Sequence, residues 1–222
     1  MDEAGAVWHP SPNCGPRRDC LTPTLIVIHY TAMESTDAAL ERLCDPAAEV
    51  SAHYLISGAG TLTQMVPEAQ RAWHAGAGEW AGHSDVNSRS IGIELDNTGK
   101  HPFSAPQMDQ LETLLRNMMQ RWRIPPEGVI GHSDMAPGRK HDPGPRFDWA
   151  RLARQGLAAK PALTTVPVDP DMALFRKRAR DAGYTAEADD LALLAAVRLR
   201  FRPGATGPLC PEDFAHLGAA TS

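Results

Sequence analysis

His29 in IVIHYTA, His132 in GHSD and Asp142 in GRKHDPGPRFDW are three potential metal-binding side chains that stand at a strand end or in a structured loop. Two neutral imidazoles and one carboxylate make a tripod that leaves a fourth tetrahedral position for water, the arrangement of catalytic rather than structural zinc. Nitrogen and oxygen donors without thiolate also suit a hydrolytic zinc ion. The chain has nine histidines, and by spacing alone His53, His74 and His141 qualify as well. A further signal is Glu94. In the run SIGIEL at 90–95 the apolar residues alternate, so Ile91, Ile93 and Leu95 share one face and Gly92 and Glu94 the other. A carboxylate on a sheet face opposite the core needs a reason to be there.

The elements that must position these residues can be read from the pattern. The β-branched run at 25–28 predicts a buried strand that delivers His29. Residues 53–56 and 61–65, separated by the turn SGAG, predict a hairpin. A short strand at 129–130 ends at Gly131 and His132. One strong helix lies between them. Ser104 is its N-cap, Gln107 completes a capping box, and Met108, Leu111, Leu115, Met118 and Trp122 form one apolar stripe. Pro125 and Pro126 stop it, and residues 36–50 predict an earlier helix. Strands interleaved with helices give the α/β class, a mixed central sheet flanked by helices. The pattern lapses at 158–170, which reads as a linker between a catalytic domain at 1–157 and a small helical domain at 171–222. In that last part Leu191, Leu194, Val197 and Phe201 align at helical spacing.

Composition excludes other classes. A formal charge of -5 argues against a general nucleic-acid binder. No stretch approaches the ~20 apolar residues of a membrane helix. The start, MDEAGAVWHPSPN, is acidic and broken by proline, so it does not read as a secretory signal, and the expected compartment is the cytoplasm. Of the four cysteines, Cys14 and Cys20 flank a proline-containing loop and could pair or form half a metal site, but free thiols are the expected state. The expected oligomeric state is a monomer.

Taken in order, IVIHYTA, SAHYLI, RAWHAG, SIGIEL, GHSD and GRKHDPGPRFDW resemble the motifs of the type-2 N-acetylmuramoyl-L-alanine amidases, over residues 25–149. That family takes in AmpD- and AmiD-like enzymes and is related to phage amidase-type lysozymes and peptidoglycan recognition proteins. The resemblance implies a zinc hydrolase acting on muropeptides or peptidoglycan, with His29, His132 and Asp142 as ligands. It implies Glu94 as the catalytic acid–base and Lys140 as the stabiliser of negative charge in the tetrahedral intermediate. Trp73, His74, Asn87 and Arg89 are candidates for contact with the glycopeptide, and His53 for support behind the site. The alternative is a peptidoglycan-recognition protein that has lost catalysis, but such proteins usually lack a ligand or the glutamate, and this chain keeps all of them. The segment FRKRARDAGY followed by AVRLRFRPGATGPL resembles a three-helix peptidoglycan-binding module, with an altered turn at ATGP.

Overall fold

The computed structural model describes residues 3, 5–160, 169–215 and 217. Among the described residues there are eight strands: β1 (Val7–Trp8), β2 (Cys14–Pro16), β3 (Leu25–Tyr30), β4 (Tyr54–Ile56), β5 (Leu62–Gln64), β6 (Gln70–Ala72), β7 (Ser90–Leu95) and β8 (Val129–Gly131). Six of them form one sheet in the order β1-β5-β4-β7-β3-β8, and β2 pairs with β6 in a small antiparallel ribbon. β4, β7, β3 and β8 run parallel, while β5 returns antiparallel to β4 as the expected hairpin. The helices are α1 (Thr36–Cys44), α2 (Val86–Arg89), α3 (Ala105–Trp122), α4 (His132–Met135), α5 (Trp149–Arg154), α6 (Met172–Asp181) and α7 (Asp190–Phe201). This is the mixed α/β sheet with flanking helices that the sequence predicts. Strands β1, β2 and β6 were not foreseen, since each has only two or three residues and little periodicity to read.

Alternation along the central strands sorts side chains onto two faces. Ile26, Ile28, Ile91, Ile93, Leu95 and Val129 point to one side, where they pack with Met108, Leu111, Leu114, Leu115 and Met118 of α3. Full burial of each such side chain contributes roughly 1.5–3 kcal/mol, so this stripe anchors α3 across the sheet. Ser104 Oγ caps α3 by accepting from the Gln107 backbone N–H at 3.3 Å. The expected capping box is corrected in its second half. The Gln107 side chain donates instead to the carbonyls of Ile56 and Asp96, at 2.8 and 3.1 Å, which ties the ends of β4 and β7 to the helix. α3 ends at Trp122 because Arg123 adopts φ 56°, ahead of the two prolines.

On the opposite face Val27 and Ile130 pack with Met135 of α4, and that cluster continues into Phe175, Ala179, Tyr184, Leu193, Leu194, Val197 and Phe214. The C-terminal helices therefore share one hydrophobic core with the sheet. The expected apolar stripe of α7 is corrected at Leu191, which is 78% exposed, and Leu193 and Ala196 are buried in addition to Leu194 and Val197. Helix α7 turns a broad face inward because it meets the sheet side on one flank and α6 on another. The third expected helix is a single 3-10 turn, Pro211–Phe214. Most of the expected linker, 161–168, lies outside the described residues. No helix of the described residues is long and apolar enough to cross a membrane. All four cysteines are free thiols.

Candidate metal centre and its cleft

The face of the sheet that carries Val27 and Ile130 also carries the chemistry. β3 presents His29 near its end, and the parallel register with β7 sets Glu94 directly beside it. β8 stops at Gly131, and α4 begins with His132. Asp142 comes from the loop after α4, and its carbonyl accepts from the Ser133 N–H at 2.9 Å, which holds that loop against the start of the helix. The result is a triangle of donor atoms: His29 Nδ1 lies 2.9 Å from both His132 Nδ1 and Asp142 Oδ2, and His132 Nδ1 lies 3.0 Å from Asp142 Oδ2. Among the described residues these three are the group of metal-binding side chains that converge closely enough to hold an ion.

Hydrogen bonds behind the triangle fix which nitrogens carry protons. Ser90 Oγ donates to the Val86 carbonyl at 2.6 Å, so it accepts from His74 Nε2–H at 3.2 Å. His74 Nδ1 is then an acceptor and takes a hydrogen bond from His29 Nε2–H at 3.0 Å. His29 is left with its Nδ1 lone pair facing the triangle. His132 reaches the same state by donating Nε2–H to the Ala75 carbonyl at 2.9 Å. Burial, and then the neighbouring His132, push the His29 imidazole down to about 4, so it is neutral near pH 7. Two nitrogen lone pairs and a carboxylate oxygen aimed at one point repel one another unless a cation lies among them. The three donors therefore make a possible metal site.

Glu94 completes the arrangement. Its Oε2 is buried and has no hydrogen-bond partner among the described residues. Burial, followed by the negative charge of Asp142, pushes its carboxyl up to about 8, with Lys140 pulling the other way. An unpartnered carboxyl poised near neutrality suits proton transfer. Both residues line a cleft of about 390 Å³ together with the triangle, Tyr30, Trp73, Arg139 and His141. Lys140 is held by its backbone N–H to the Ala136 carbonyl at 3.0 Å.

The remaining candidates divide. Trp73 stands in the cleft wall. The His74 ring also borders the cleft, and both of its nitrogens are engaged, with His29 and Ser90, so it stands behind His29 as well. Gly92 is the reason the ring fits, since a Cβ there would lie 2.4 Å from His74 Cγ. Asn87 and Arg89 do not line the cleft, which corrects their expected role. Asn87 Oδ1 is occupied by the N–H groups of His74 and Ala75, at 3.0 and 2.8 Å, and Arg89 sits at the end of α2 with a buried Nε. His53 accepts from the Gly92 N–H at Nδ1, 3.0 Å, and faces the Gln70 carbonyl at Nε2, 3.0 Å, so neither nitrogen reaches the triangle. Ser90 and Arg139 escaped the sequence reading. Both stand inside the motifs SIGIEL and GRKHDPGPRFDW, but Ser90 acts through the ring of His74 and Arg139 through the distant Ala75 carbonyl, contacts that the motifs do not spell out.

Comparison with known proteins finds relatives in both sequence and fold. The family described as N-acetylmuramoyl-L-alanine amidase matches residues 19–145. The N-acetylmuramoyl-L-alanine amidase AmiD of Escherichia coli K12 is 42% identical over 153 residues, which are 62% of this chain and 54% of AmiD. The chain thus aligns with about half the length of that relative. The 1,6-anhydro-N-acetylmuramyl-L-alanine amidase AmpD of the same organism is 38% identical over 165 residues, 67% of this chain and 90% of AmpD. Among solved structures, E. coli AmiD in complex with anhydro-N-acetylmuramic acid-L-Ala-D-gamma-Glu-L-Lys superposes with a TM-score of 0.79 at 30% identity, covering 98% of this chain and 90% of that one. AmpDh3 from Pseudomonas aeruginosa with anhydromuramic pentapeptide gives 0.77 at 30% identity, covering 98% and 95%.

Proposed function

This chain belongs to the N-acetylmuramoyl-L-alanine amidase family, and we propose that it hydrolyses the amide between the lactyl carbonyl of (anhydro-)N-acetylmuramic acid and L-alanine, with zinc held by His29, His132 and Asp142. The observation that carries the reading is the convergence of two imidazole Nδ1 atoms and one carboxylate oxygen beside an unpartnered glutamate. The chemistry zinc supplies in such a setting is a lowered pKa for water and polarisation of the amide carbonyl. Glu94 accepts the proton of the attacking water and hands it to the departing alanine nitrogen. Lys140, on the same cleft wall, balances the negative charge that grows on the carbonyl oxygen. Trp73 offers an apolar ring face to the sugar or its methyl groups. The two proposed units, 1–157 and 171–222, act on one polymer, and a second contact with the wall raises the effective concentration of substrate at the cleft.

Metal analysis tests the reading. The purified chain is expected to hold about one zinc, to lose activity on chelation and to recover it with zinc. The His132→Ala variant is expected to hold little zinc and to show no activity that added zinc restores. Zinc at wild-type stoichiometry in an active His132→Ala protein would remove the proposed ligand set.

A further inference from the structure

The residues on either side of His132 are gripped from the C-terminal helices. Asp134, fully buried in α4, receives three hydrogen bonds at 2.7 Å: the Gly131 N–H and Arg200 Nη1 on Oδ2, and the Tyr184 hydroxyl on Oδ1. Arg200 comes from α7 and reaches past Asp134 as well, with Nη2 donating to the Val129 carbonyl of β8 at 3.0 Å. Its guanidinium lies 4.2 Å from the centre of the Trp149 ring, which leaves it little freedom to swing away. Tyr184 follows α6 and packs edge-on against Trp80 at 5.0 Å between ring centres. Burial pushes its hydroxyl well above the usual tyrosine range, so it remains a donor at any ordinary pH.

One guanidinium thus holds the last strand residues before His132 and the carboxylate two residues after it. A Gly131 N–H bonded to Asp134 closes the first turn of α4 from within. The side chain of His132 is in turn tied to the Ala75 carbonyl through Nε2 at 2.9 Å. We propose that Arg200 and Tyr184 are positioning residues for the metal centre: the C-terminal helices clamp Asp134 and the end of β8 so that His132 Nδ1 stays in the donor triangle. The inference rests on the metal-site reading above. It gives residues 171–217 a task at the catalytic centre that is separate from any contact with the wall.

The test uses the full chain and measures zinc affinity by competition with a chromogenic chelator, beside thermal stability of the stripped protein and kcat and KM on a soluble muropeptide. Tyr184→Phe removes only a hydroxyl and keeps the ring on Trp80, so it is the mildest change to the clamp, and its thermal stability is measured beside its zinc affinity. Arg200→Met removes the clamp while keeping the length of the stem. Phe175→Leu is the control: Phe175 is buried in the same cluster and touches neither Asp134 nor β8 in any hydrogen bond. Both clamp variants are expected to weaken zinc affinity by about tenfold or more and to lower kcat with little change in KM. Phe175→Leu should lower thermal stability and leave zinc affinity at the wild-type value. Wild-type affinity in both clamp variants overturns the inference, as does an equal loss in Phe175→Leu, because affinity would then follow overall stability. A wild-type chain that binds no zinc would instead sink the metal-site reading itself.

Discussion

At the scale of single residues, Glu94 must gain and lose a proton in each turnover. Glu94→Gln keeps the shape of the side chain and removes its basicity. The expected result is a fall in kcat of roughly 10²–10⁴-fold with zinc content unchanged, measured by steady-state kinetics and metal analysis on the same preparation. Unchanged kcat would make Glu94 a structural carboxylate. His53 offers a test of a different kind. Burial, and then the nearby Arg17 guanidinium, lower its pKa to about 3, against an ordinary value of 6.5. The unfolded chain therefore binds a proton between those values that the folded chain does not, and stability must fall as pH drops from about 6.5 toward 3. A single group of this kind contributes a slope of up to about 1.4 kcal/mol per pH unit. Denaturant titrations of the zinc-stripped protein across that range should show a shallower fall for His53→Gln. Parallel slopes for the two proteins would show that His53 is charged in the fold.

At the scale of elements, the central strands place the site, and one glycine shows how closely. A Cβ on Gly92 of β7 would enter the His74 ring, whose Nδ1 receives the His29 Nε2 proton. Gly92→Ala is expected to displace that ring, free the His29 tautomer and weaken zinc binding on the order of tenfold, with the sheet retained by circular dichroism. Wild-type zinc affinity in Gly92→Ala would mean that His74 does not support the ligand. Much of this layout was legible in the chain. The β-branched run before His29, the alternation around Glu94 and the stripe of α3 each follow a strong period, and all three elements are present. What was not legible depends on distance in sequence. Asn87 and Arg89 sit next to a catalytic strand, yet α2 turns Asn87 toward the backbone of His74 and Ala75. Gln107 reads as a helix cap, but buried carbonyls of β4 and of the loop after β7 claim its amide. Leu191 fits the apolar period of α7 and still faces outward, because packing on two flanks shifts the buried arc.

At the scale of the whole molecule, the sheet has helices on both faces, and the C-terminal ones cover the catalytic side. Ending the chain after Lys160 would uncover Val27, Ile130 and Met135 and remove two of the three groups that satisfy the Asp134 carboxylate. Breaking a buried pair from one side costs about 3–5 kcal/mol, a large share of the stability of a single domain. The shortened protein is expected to aggregate or melt well below the full chain, as differential scanning calorimetry and size exclusion would show. A soluble, fully active 1–160 fragment would mean that the two units fold independently. Which bond is cut can be read directly from the masses of the products. The zinc-loaded full chain is incubated with a defined anhydro-muropeptide, and in parallel with intact wall sacculi. Amidase action at this bond is expected to give free anhydro-N-acetylmuramic acid and an intact stem peptide with an unblocked alanine amino terminus. Products cut within the stem peptide, or a muropeptide returned whole by zinc-loaded protein, would contradict it.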